Sequence, residues 1–199
     1  MVVELYRWVE GLRRRMPLAL AIAEVAERMR SLEGDDHHYT LGSQLAFLLH
    51  EAGRDEEALH LLDDLMRQHP ENVLPAMRKA GMYLYNLDQP EEALRWINVA
   101  LERANRTKFF RREVLGDKAR ILLKLGRGDE LSDVLEEIMS LQMVKGIPDV
   151  GRERDFVDRA PPGFIRKNVL DRYNEFRPRR PDDSLADEPP KYSSPDDAM

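Results

Sequence analysis

Asp55-Glu56-Glu57-Ala58-Leu59-His60 returns, almost intact, as Pro90-Glu91-Glu92-Ala93-Leu94-Arg95. The two Glu-Glu-Ala-Leu cores stand 35 positions apart, counted from Ala58 to Ala93. A fixed period of this size marks stacked helical repeats when the surrounding residues recur with it. They do. Leu62 and Leu65 follow Ala58 at the same offsets at which Ile97 and Ala100 follow Ala93. These offsets of four and seven residues place each set on one helix face. Upstream, Leu45-Ala46 with Leu49 is matched by Ala80-Gly81 with Leu84. Gly53 supplies a turn before the first core, and Pro90 supplies a helix start for the second. Asp55 is placed to cap its helix, and the paired glutamates fall where a helix N-terminus favours negative charge. They are therefore read as structural acids and not as catalytic ones.

A third, weaker unit follows. With Gly126 at its turn, Leu115, Ala119 and Leu122 share one helix, and Leu131, Leu135 and Ile138 share the next. Asp129-Glu130 opens that second helix. Lys118 falls at an apolar position, and Leu131 replaces the small residue of the other two units. The spacing from Ala93 to Leu131 lengthens to 38, through a junction that holds Arg103, Arg106, Lys108, Phe109, Phe110, Arg111 and Arg112. The helix is extended there, or the repeat is distorted.

The pattern resembles the tetratricopeptide repeat (TPR), whose 34-residue unit places Leu-Gly-x-x-Tyr on a first helix and Ala-x-x-x-Phe on a second, with a closing Pro. Leu45-Ala46-x-x-Leu49, Ala58-x-x-x-Leu62 and Pro70 stand at those positions, and Ala80-Gly81-x-x-Leu84 repeats them. Small residues at such places let two helices cross closely. The closing Pro of the second unit is replaced by Asn105. The expected fold is all-α: a short TPR-like superhelix of units 39–72, 74–106 and 112–145, between an N-terminal helical cap over 1–38 and an irregular C-terminal tail.

In that family the first helices line a concave groove. The resemblance implies groove positions at Thr40, Ser43, Phe47 and His50, then Arg78, Met82 and Tyr85, then Glu113, Gly116, Arg120 and Leu123. Phe47, His50, Arg78, Met82, Tyr85, Arg120 and Leu123 are the candidate partner-binding residues. Their mixture of apolar groups and cations suits a peptide or helix with apolar anchors and a carboxylate. Some family members clamp a C-terminal carboxylate with Lys and Asn. The equivalent positions here are Ser43, Phe47, Lys79, Glu113 and Asp117, and no such clamp is expected.

Composition narrows the rest. Charged residues are 34% and aromatics 7%, which favours helices packed through Leu, Ala, Ile, Val and Met. A net charge of -6 argues against a general nucleic-acid binder. The basic junction from Arg103 to Arg112 is read as a solvated helix end. With no cysteine, disulfides, thiolate metal sites and a Cys nucleophile are excluded. No phosphate-binding Gly-rich loop, Gly-x-Ser-x-Gly or His-Glu-x-x-His is present, so no catalytic residue and no cofactor is expected. Gly34-Asp35-Asp36-His37-His38 reads as turn chemistry and not as a metal site.

Met1 to Leu32 is helical by spacing, with Pro17 kinking one helix or starting a second. The arginines Arg13-Arg14-Arg15 are read as solvated. The apolar run Met16 to Ala23 belongs to the folded domain and not to a signal peptide, since Glu4, Glu10 and Glu24 surround it. No run is long enough to span a membrane. After Lys145 the composition shifts, and eight of the twelve prolines lie from Pro148 onward. Within 146–178, residues 163–176 are expected to form a short helix, with Ile165, Val169, Tyr173 and Phe176 on one side; residues 179–199, rich in Pro, Asp and Ser, are expected to be disordered. Ser193-Ser194-Pro195 is a possible phosphate acceptor. The sequence thus predicts a cytoplasmic, non-catalytic adaptor that binds a protein or peptide partner. The alternatives are a small TPR-type chaperone of a secretion or assembly system, or an accessory subunit of an enzyme complex.

Overall fold

In the computed structural model, described over residues 2–33, 35, 37–141, 143–144, 147–148 and 153–176, the chain is all-helical apart from one minimal strand pair. The helices are α1 (Val2–Arg15), α2 (Leu18–Ser31), α3 (His37–Glu51), α4 (Asp55–Gln68), α5 (Leu74–Tyr85), α6 (Pro90–Thr107), α7 (Arg111–Leu125), α8 (Gly128–Leu141), α9 (Arg154–Val157) and α10 (Lys167–Phe176). Strands β1 (Met143–Val144) and β2 (Ile147–Pro148) pair antiparallel between α8 and α9. Residues 179–199, including Ser193-Ser194-Pro195, lie outside the described residues, as do Gly34 and Asp36.

Pro17 separates two helices. It has no amide hydrogen to donate, and its extended backbone (ψ 142°) makes it the N-cap of α2. Its carbonyl accepts from the Leu20 and Ala21 amides. Val9 and Leu12 of α1 and Ala21, Ile22, Val25 and Met29 of α2 are buried with the apolar face of α3. Arg13 is not simply solvated. It pairs with Glu51 of α3, and its guanidinium lies 5.6 Å from the Phe47 ring centroid.

Helices α3 to α8 form three successive antiparallel pairs, α3/α4, α5/α6 and α7/α8. The first helices also meet one another, α3 against α5 and α5 against α7. Ala58 and Ala93 are fully buried, as their recurrence implied. Asp55 is not a cap: Arg54 holds the N-cap position of α4 without a side-chain bond, and Asp55 accepts from His50 instead. Within the repeat helices Gly42, which the repeat pattern did not single out, is closely packed by its neighbours. A Cβ there would stand 2.5 Å from Leu65 Cδ1 and 3.2 Å from Met29 Cε.

The long junction resolves as an extended helix. α6 runs 18 residues to Thr107, and a short turn then delivers the chain to α7. Lys108 and Phe110 adopt left-handed backbone, with φ of 64° and 60°. The junction's cations serve the fold. Arg103 donates to the Asn72 carbonyl at 2.9 Å, and Arg106 pairs with Glu71 at 3.0 Å. Arg111 pairs with Glu137, and Arg112 with Glu153.

The C-terminal helix is shorter than the sequence implied. Residues 161–166 form a turn in which the Phe164 amide donates to the Pro161 carbonyl and Gly163 takes φ 78°, so helix begins only at Lys167. α10 packs on α8 through Val169 and Tyr173. Ser132 fixes that junction: its hydroxyl donates to the Gly128 carbonyl and accepts from the Arg166 amide, both at 2.9 Å. Gly128 is required here, because a Cβ would come within 2.1 Å of the Phe164 carbonyl oxygen.

Candidate functional site

The face made by α1, α3, α5 and α7 carries a cleft of about 430 Å³. Tyr6 of α1 and Phe47 of α3 form one wall, Arg78, Gly81 and Tyr85 of α5 the floor, and Phe110 with Glu113 and Asp117 of α7 the other wall. A second, smaller cleft of about 240 Å³ adjoins it between α5, α7 and α9. It is lined by Leu123, Phe156 and three cations, Arg120, Lys124 and Arg159. Tyr85, at 67% exposure, is the residue both clefts share.

Among the expected site residues, Phe47, Arg78, Met82 and Tyr85 come together in the first cleft, and Tyr85, Arg120 and Leu123 in the second. Two positions need correction. Met82 reaches the first cleft but is only 3% exposed; it reaches back into the core of the first pair and is not an open anchor. His50 lines neither cleft. Its Nδ1–H donates to Asp55 at 2.5 Å and its Nε2 accepts from the Asn86 amide at 2.6 Å, so it ties α3 to α4 and to the end of α5. Of the other implied groove positions, Thr40, Ser43 and Gly116 are buried.

Lys79 is also inside the fold. It pairs with Asp63 and sits 4.0 Å from the Trp96 ring centroid. Burying a lysine is tolerated when its charge has such partners. The turn histidines are structural too: His38 is buried against the Met29 carbonyl at 3.0 Å, and the His37 amide donates to Asp35.

The electrostatics centre on Asp117 and Tyr85. Burial pushes Asp117 above the ordinary carboxylate range, against the charge and the 2.8 Å hydrogen bond of Arg120 and the charge of Arg78; Glu113 adds to the push. Burial likewise raises Tyr85, in the combined field of Arg120, Asp117 and Lys124. The Arg120–Asp117 pair thus spans the boundary between the clefts, with the carboxylate lining the first and the guanidinium lining the second.

Two features of the site were missed in the sequence. Phe110, 45% exposed, lines the first cleft because the left-handed backbone at 108 and 110 turns the chain sharply there. A bulky residue at positive φ is costly, and such strain concentrates at functional positions. The adjacent Phe-Phe pair was the available signal. Gly81 stands at a small position of the repeat, where close packing is expected, yet nothing stands within 4 Å of where its Cβ would be. It opens the cleft floor instead.

Comparison with protein-family models, with curated proteins and with solved structures finds no match for this chain.

Proposed function

We propose that the three helix pairs form a short TPR-like solenoid and that the chain is a non-catalytic adaptor. It binds a segment of a protein partner in the clefts beside α5. The observation that carries this reading is Gly81. A glycine inside a helix costs about 1 kcal/mol relative to alanine, and no neighbouring atom requires this one. Its position on the cleft floor, beside exposed Tyr85 and Phe110, suits the close approach of another backbone. Exposed aromatics around a pocket are also the usual energetic anchors of protein interfaces.

The test uses three variants: Tyr85→Ala, Phe110→Ala and Gly81→Leu. Each is expected to keep the melting temperature near that of the parent while losing the same co-purifying protein in affinity capture. Retention of every partner by all three variants would sink the adaptor reading at this face.

A further inference from the structure

The two clefts differ in charge, and that difference gives the face a direction. The first cleft is lined by aromatic and aliphatic side chains with two carboxylates, Glu113 and Asp117, against one arginine, Arg78. The second is lined by Arg120, Lys124 and Arg159 and by no carboxylate. Two of those cations have partners. Arg120 is bonded to Asp117 and lies 5.8 Å from the Phe156 ring centroid; Lys124 is bonded to Asp88 at 2.5 Å. Arg159 is exposed and makes no hydrogen bond or ion pair among the described residues.

Resting on the adaptor reading, we infer that these clefts take one partner segment in one orientation, with an aromatic or long aliphatic anchor in the first cleft and carboxylate side chains over Arg159 in the second. Tyr85 lies under the chain between them. The anchor site follows from Phe47, Tyr85 and Phe110 around the open floor at Gly81. The acidic end is drawn to the second cleft by Arg159, with the already paired Arg120 and Lys124 beside it. It is excluded from the first because a carboxylate there would face Glu113 and Asp117. Like charges juxtaposed across an interface repel, so this exclusion bears on the orientation as the attraction does. Asp117 is already held against its burial by Arg120, so a second carboxylate beside it would compete for the same guanidinium.

The test selects a random peptide display library on the immobilised full-length chain and then measures the recovered peptides in solution. We expect a recovered pool in which an aromatic or long aliphatic residue is followed, at constant spacing, by Asp or Glu. Arg159→Glu should weaken a representative acidic peptide at least about tenfold. The same peptide with its acids changed to lysine should prefer the Arg159→Glu protein. Arg127→Glu, an exposed arginine outside both clefts, should change neither affinity.

Peptides that are lost on Tyr85→Ala but indifferent to Arg159→Glu would overturn the orientation while leaving the adaptor reading intact. If no recovered peptide responds to Tyr85→Ala, both fall. A free peptide of the chain's own sequence from Asp182 to Glu188 that displaces the selected peptides would make that stretch the occupant and overturn an external partner. So would a concentration-dependent dimer, seen by sedimentation and dispersed by Arg159→Glu.

Discussion

Gly42 and Gly81 sit inside the first helices of adjacent pairs, and adding one methyl group separates them. At Gly81 the added Cβ meets nothing, so Gly81→Ala should gain the ordinary helix preference of about 1 kcal/mol in chemical denaturation. At Gly42 the same methyl drives into Leu65 and Met29, and the helix gain should be cancelled or reversed. Asp117 gives a second test at this scale. Its carboxyl is raised by burial, so the folded state holds its proton to higher pH than the unfolded chain does. Stability therefore falls as pH rises through the interval above the ordinary Asp value, and the penalty is complete above the folded-state value. Asp117→Asn should flatten that part of the stability–pH curve, read by denaturant titration at several pH values. The repeat cores Ala58 and Ala93 were legible because close packing demands small side chains at a fixed period. The role of Gly81 was not. A small residue that permits a helix crossing and one that leaves a floor open are the same letter, and only the neighbours tell them apart.

At the scale of elements, the C-terminal segment is fastened by a few named contacts. Ser132→Ala removes the acceptor for the buried-side Arg166 amide and should cost about 1 kcal/mol. Gly128→Ala pushes against the Phe164 carbonyl, and overpacking of this kind costs about 1–3 kcal/mol. Both should show first as loss of amide protection in α10, with α1 to α6 unchanged in hydrogen exchange. Glu153→Gln removes the negative charge that faces the buried Arg112, the pair being only 6% and 2% exposed, and should cost about 1.5–3 kcal/mol. The sequence marked a short helix ending at Phe176, because Ile165, Val169 and Tyr173 fall on one side. It placed the start too early, since the Pro161-Pro162-Gly163 turn claims the residues up to Arg166. It gave no sign of α9. Four residues carry no periodicity, and the contacts around them come from far along the chain: Phe156 and Val157 are buried in the larger core cluster, and Glu153, just before the helix, pairs with Arg112.

For the whole molecule, two buried clusters divide the chain. One joins α1 to α4 and takes Met82 from α5; the other runs from Met66 to Tyr173. Met82 and the His50–Asn86 bond are among the links that carry the first cluster into the second. The helical character and the three pairs were legible because they depend on local spacing. The partition of the cleft-bearing face was not, because it depends on which loops and ends return to cover it. α1 covers part of α3, with Arg13 over Phe47, and α9 stands beside the far half of α7. What remains open between them is one side of α5, at Arg78, Gly81 and Tyr85.

The Arg112–Glu153 pair therefore bears on more than stability. It is a long-range contact beside one wall of the basic cleft, while most of the other cleft's lining comes from helices of twelve residues or more. Those longer helices can form from local contacts early in folding, whereas α9 must wait for a distant partner to close a loop. The basic cleft should then be the last part of the face to assemble and the first to open in local fluctuations. Any ligand that needs both clefts would bind only the closed fraction, and its apparent affinity would be scaled by how often α9 is docked.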